Sequence, residues 1–345
     1  GLATMAQWMS GMLFLGLAGM LYFLGHDGQA YLVGWSAGFV LIAVLIAPFL
    51  HKSGAFTVPD FLGLRYGGVI PRLLAAIVLV IVCGAFLVVQ FQILARLSEI
   101  FLTPALPWLT PDVAVWIAAA VIVLTLLPGG MQSLSWTHIG LGVVVLAAVL
   151  VPAVWMSIDA TEMPLPPVGL GEVMGQLSNA ETALGLSTSF ATPFSETGPA
   201  DPVASTTDYL ALVFCLMVGT ACMPHLLQRF LTTPTVRAAR VSAAWALLFV
   251  GLLMIALVAV AAMVRLEVLA PFAAAGGTLG YDAMPGWMTA LGEMGILSVC
   301  GVPPTDPTVV QGACGAGREA GFTLAEVTFG TDFAMLAPLE MAALP

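Results

Sequence analysis

Gln7 and Ser10 stand three residues apart in the apolar stretch Ala6-Gln7-Trp8-Met9-Ser10-Gly11, a spacing that puts both polar side chains on one helical face. Gly11, Gly16 and Gly19 follow, lowering local helix stability and letting another backbone approach closely. Two readings fit. One is close helix packing through small residues. The other is an interrupted helix whose freed carbonyls hold a cation near the membrane midplane. A counterpart lies downstream, at Gly219-Thr220-Ala221-Cys222-Met223-Pro224-His225. There a Gly and a Pro within one apolar run again free backbone groups that protein, water or ligand must satisfy. Interrupted spans paired at five-helix spacing point to a solute site between inverted repeats.

Other polar residues weigh less. Gln90 and Gln92 lie deep in an apolar run and are expected to face protein rather than lipid, in helix–helix hydrogen bonds or on a ligand. Arg96 and Glu99 read as an interfacial pair. His225 offers a proton carrier or a helix-end hydrogen bond. No two histidines are spaced for a haem or metal pair, and no phosphate-binding glycine loop occurs. Ser10 with a distant His is too little for an intramembrane enzyme, so the sequence reads as a non-enzyme with no cofactor. Cys83, Cys215 and Cys222 read as packing residues, while Cys300 and Cys314 share one segment and are either a disulfide or two thiols.

The elements that carry these residues are apolar. Hydrophobic residues make up 60% and charged ones 8%, against about a quarter charged in a soluble domain. Val241 to Val264 runs without a charge, about 36 Å of helix against a hydrocarbon core of roughly 30 Å. Seven spans are expected, at 3–25, 29–50, 72–98, 111–128, 137–157, 207–228 and 238–264, within a helical bundle over 1–265. Pro128-Gly129-Gly130 ends the fourth. The connection after the second span holds Lys52, Arg65 and Arg72 against Asp60, and 229–240 holds Arg229, Arg237 and Arg240 with no acid. Short basic loops stay in the cytoplasm. The segment 158–208 carries Asp159, Glu162, Glu172, Glu181, Glu196, Asp201 and Asp208 with no Lys or Arg, and 266–345 opposes eight acids to Arg318 alone. Both acidic segments, the loop 158–206 and the loop-rich tail 266–345, therefore fall outside. The net charge of −10 marks no acidic-ligand protein, and no basic patch suits nucleic acid. No charged leader precedes the first span, so a signal peptide is not expected.

Five stretches then occur in an ordered series: Ala6-Gln7-Trp8-Met9-Ser10; Gly25-His26-Asp27-Gly28; Phe56-Thr57-Val58-Pro59-Asp60-Phe61-Leu62 with Arg65-Tyr66-Gly67; Gly129-Gly130-Met131 with Trp136-Thr137; and Gly219-Thr220-Ala221 with Pro224-His225 and Arg229-Phe230. Together they resemble the sodium:solute symporter family over nearly the whole chain, nearest its cation/acetate branch. The resemblance implies an all-α polytopic membrane protein with the LeuT-like fold, two inverted five-helix repeats that rock around a central site. It implies sodium at backbone oxygens of Ala6 and Met9 with the Ser10 hydroxyl beside it. Gln7, Ser10, Gln90 and Thr220 would line the solute pocket, and Gly11, Gly219 and Pro224 would break or gate the helices. Gln7 stands where that branch carries Asp, so ion affinity or coupling would differ. The eighth core helix is expected to be missing, leaving one full repeat, two helices of the next and half of the sodium site.

The implied activity is sodium-coupled symport of a small organic solute, a short-chain monocarboxylate such as acetate, by alternating access. The alternatives are another solute (proline, a sugar or a vitamin) or a non-transporting channel or scaffold subunit. The expected partners are the lipid bilayer, the solute, Na+ as coupling ion and a small membrane subunit, in a bacterial inner membrane.

Overall fold

A computed structural model describes residues 1–186, 189–194, 205–315, 320–330 and 332–341. Glu196, Asp201, Arg318 and Glu319, which entered the charge reading, lie outside the described residues. Among the described residues, four helices are long and apolar enough to cross a membrane: α3 (Gln29–Lys52), α5 (Val69–Leu102), α7 (Gly129–Thr161) and α11 (Val236–Ala274). Two further spans are broken pairs, α1 (Leu2–Trp8) with α2 (Gly11–Leu24), and α9 (Thr206–Ala221) with α10 (Pro224–Leu231). Between α5 and α7 lies the shorter apolar α6 (Pro111–Leu127). This is a multi-pass helical membrane protein.

The chain divides into two compact units, the first being Gly1–Met12, Ala30–Leu146 and Leu210–Leu252. Here α4 (Val58–Tyr66) starts where the Thr57 hydroxyl accepts from the Asp60 amide at 3.1 Å, and it stops at Gly67, φ +72°. Arg72 closes on Asp60 at 2.8 Å and ties α4 to α5. Over Val69–Leu97 not one side chain of α5 is buried. Its surface is Leu, Ile and Val, which suits hydrocarbon rather than water. Gly34 and Gly38, one turn apart on α3, let α9 approach closely. A Cβ on Gly38 would stand 2.5 Å from the Thr220 Cβ, and one on Gly34 would stand 2.7 Å from the Leu216 Cβ. Helix α6 stops at Leu127, and Gly130, whose φ of +51° lies outside the helical range and suits glycine, bends the chain at the start of α7.

The second unit is Leu13–Gln29, Ala147–Tyr209 and Leu253–Pro345. In α8 (Pro166–Ala183) the buried residues Pro166, Gly169, Val173, Leu177, Ala180 and Glu181 recur at helical spacing and form one apolar face. Glu181 ends that stripe because Arg265 reaches it: Nε and Nη2 lie 2.9 Å from its Oε1. Arg265 Nη1 also donates to the Tyr22 carbonyl at 2.8 Å. With its charge satisfied, Arg265 does not end α11, which runs on to Ala274 rather than stopping near 264. The tail beyond is structured rather than bare loop. It pairs β1 (Thr278–Leu279) with β3 (Phe322–Thr323) and β2 (Leu297–Val299) with β4 (Val327–Phe329), both antiparallel. It also holds α12 (Gly286–Glu293), α13 (Pro307–Cys314) and α14 (Phe333–Met341). A disulfide joins Cys300 to Cys314. Among the described Lys and Arg residues, only Arg265 belongs to this unit.

Candidate functional site

The first break is built at Met9 and Ser10. Met9 has ψ +80°, outside the helical range, and the Ser10 amide donates to the Trp8 carbonyl at 2.8 Å. In an unbroken helix that amide would satisfy Ala6. The Ala6 carbonyl is thereby dropped from the ladder at the position where a cation could use it. Ser10 is buried, with 9% of its surface exposed. Gly11 opens α2, and its amide, an orphan of the helix start, donates to the Gln90 Oε1 at 2.9 Å. A Cβ on Gly11 would press on Ile93 at 3.1 Å and Gln90 at 3.3 Å, so glycine keeps α5 close to the break. Carbonyl and hydroxyl oxygens are hard donors suited to Na+. No group of three His, Cys, Asp or Glu residues able to hold a metal exists among the described residues.

The second break, between Ala221 and Pro224, bends the pair by 44°. Pro224 stands at the start of α10, where its missing N–H costs nothing, and Met223 is extended with ψ +113°. Gly219 lies within α9, not at the break. Thr220 is 1% exposed, wedged against Gly38, and its hydroxyl oxygen is buried without a partner. Beside Gly38, Phe39 meets Trp8 edge-on at 5.7 Å between ring centroids. Helix α3 thus packs on Thr220 through Gly38 and on Trp8, two residues before the first break, through Phe39.

Polar atoms left without partners concentrate in the first unit. Six buried side-chain polar atoms among the described residues lack a hydrogen bond, and five belong to the first unit: Thr4 Oγ1, Trp8 Nε1, Gln90 Nε2, Thr220 Oγ1 and Arg229 Nη2. Buried polar groups are nearly always paired, so such a concentration calls for a ligand, ion or water. Three of the five are N–H donors.

Both ends of the Gln7 amide are hydrogen-bonded within the protein. Its Nε2 donates to the His225 carbonyl at 2.8 Å, and its Oε1 accepts from Arg229 Nε at 2.8 Å. The amide fastens α1 to α10. Gln92 is exposed while Gln90 is half-buried. A two-residue step turns a helix by about 200°, which sends them to opposite sides. The His225 ring stacks on Phe86 at 5.2 Å. Arg229, expected in a cytoplasmic loop, is 8% exposed inside α10. The signal was present in the alternation of that segment: Leu226, Leu227, Phe230 and Leu231 are buried with it, so the loop is a short amphipathic helix. Ser135, 94 residues away in sequence, accepts from Arg229 Nη1 at 3.2 Å and had no sequence signal.

Two broken apolar spans with buried, unpartnered polar atoms in the same unit define the candidate site of this multi-pass helical membrane protein. The profile of the sodium:solute symporter family matches residues 1–297, and the chain belongs to that family. It is similar to an uncharacterised symporter of Cupriavidus necator, 28% identical over 438 aligned positions that cover 100% of this chain and 61% of that protein. It is also similar to a monocarboxylic acid transporter of Corynebacterium glutamicum, 27% identical over 263 positions covering 73% of this chain and 45% of the relative. The chain thus spans about half to three-fifths of the curated relatives it matches. No solved structure matches it.

Proposed function

We propose that this protein is a sodium-coupled symporter of a short-chain monocarboxylate such as acetate, working by alternating access in a bacterial inner membrane, its spans forming one five-helix repeat of the LeuT-like fold and two helices of the next. The observation that supports this reading best is the set of unpartnered buried donors beside two broken spans. In this account sodium takes the carbonyls of Ala6 and Met9 and the hydroxyl of Ser10. The carboxylate of the solute accepts from Gln90 Nε2 and the Thr220 hydroxyl, which no protein group satisfies. A carboxylate offers acceptors only, so unpartnered N–H groups favour it over a sugar, whose hydroxyls also need acceptors. The named monocarboxylate transporter among the relatives lends this solute class further support. Coupling follows if each ligand favours the same conformation, because a ligand shifts an equilibrium only by its differential affinity.

The test is uptake of labelled acetate, proline and glucose into proteoliposomes, with and without sodium. The expected result is sodium-stimulated acetate entry and background levels of the other two. Sodium-stimulated proline or glucose entry without acetate would overturn the solute class.

We further propose that 158–208 and 266–345 face outward and 51–71 faces the cytoplasm. Glu172 and Lys52 are both exposed side chains. In a background lacking the free thiols of Cys83, Cys215 and Cys222, an impermeant thiol reagent added to intact cells is expected to label Glu172→Cys and spare Lys52→Cys. The reverse pattern would invert the topology.

A further inference from the structure

Among the described Asp, Glu, Lys and Arg residues three are buried: Asp27, Glu181 and Arg229. Glu181 has Arg265, and Asp27 has the His26 ring at 3.3 Å and the Phe194 amide at 3.0 Å. Arg229 has only neutral company, Gln7 Oε1 and Ser135 Oγ. Both neighbours are already committed. Gln7 spends its N–H on the His225 carbonyl, and the Ser135 hydroxyl donates to the Met131 carbonyl at 2.8 Å. No carboxylate among the described residues comes within ion-pair distance, and Nη2 is buried without a partner. Neutral hydrogen bonds do not repay the desolvation of a full charge, which is retained in a protein interior only with a counter-charge.

We propose that Arg229 Nη2 is the anchor of a binding site for a small monovalent anion, beside Gln7 of α1 and Ser135 of α7. The shared chemistry is a compact negative charge accepting from the guanidinium. Its two sources are chloride and the carboxylate of the transported solute, and only the second rests on the function proposed above. Nη2 is closed to solvent in this arrangement, so the anion gains access as α1 and α10 part. Binding one anion between them also fastens the halves of the two broken spans to each other.

The experiment is thermal unfolding of the purified protein in detergent at constant sodium and ionic strength. Isethionate, too bulky for a closed site, is replaced stepwise by chloride or by acetate. The expected result is a saturable rise in melting temperature of a few degrees with at least one of the two. A rise with acetate alone assigns the site to the solute, and a rise with chloride assigns it to an inorganic counter-ion. Gln7→Glu supplies a carboxylate beside the guanidinium. It should melt in isethionate at or above the parent temperature, gain nothing from chloride and lose the part of any acetate shift that Arg229 supplies. A flat response of the parent to both anions would overturn the proposal, as would a chloride or acetate rise as large in Gln7→Glu as in the parent. Failure of sodium-driven uptake in the same preparation would remove the transport reading and leave the chloride shift standing.

Discussion

Replacing Arg265 with Met is expected to destabilise the protein by about 3–5 kcal/mol, the usual cost of stranding one partner of a buried ion pair. The side chains of Arg265 and Glu181 are 13% and 4% exposed, so solvent screens little of their attraction. Glu181 also accepts from the Phe190 amide through both oxygens at 3.1 Å, which anchors the segment after α8. The guanidinium lies 6.0 Å from the Tyr22 ring centroid and 5.7 Å from that of Phe190, adding two cation–π contacts. The loss is therefore electrostatic and local. Pairing Arg265→Met with Glu181→Gln should return much of it, because the amide still accepts from Phe190 while no unpaired charge remains. Detergent-solubilised variants followed by thermal or denaturant unfolding would measure this. A single-variant loss below about 1 kcal/mol would mean the pair is hydrated after all.

Gly38→Val should cost about 1–3 kcal/mol or more by overpacking and should also impair transport. The added Cβ would stand 2.5 Å from the Thr220 Cβ and 2.9 Å from the Met217 carbonyl oxygen. A backbone atom cannot swing aside, so α3 and α9 must separate and carry Thr220 out of place. Gly16 is the control, since nothing lies within 4 Å of where its Cβ would be. Gly16→Ala should be neutral or slightly stabilising, alanine being the better helix former. Equal losses at both positions would refute the close approach at Gly38.

These variants also show where sequence reading stops. Long apolar runs, the Pro224 break and the polar residues beside the first break stand out because they rest on local composition. Arg265 read as the end of a span because an apolar stretch normally stops at a charge. What carries the helix past it is Glu181, 84 residues away, and no periodicity reports a partner at that distance. Arg229 reads as a loop cation for the same reason. Its acceptor Gln7 lies 222 residues away. Gly34 and Gly38 look like any pair of small residues until α9 is seen against them. Gly16, in a stretch read as packing, faces open space. The order of the helices is local information; which polar groups pair is not.

The most direct test of the central claim is the sodium dependence of solute uptake in Ser10→Ala beside the parent protein. Ser10 sits buried at the break, directly after Met9 leaves the helical range. Losing one oxygen ligand to a cation should cost about 1.5–3 kcal/mol, roughly a tenfold to hundredfold rise in the half-saturating sodium concentration. The account predicts saturable, sodium-driven acetate accumulation in the parent and that rise in Ser10→Ala, with the maximal rate recovered at high sodium. Unchanged half-saturation in a folded Ser10→Ala protein, or parent uptake indifferent to sodium, would contradict it.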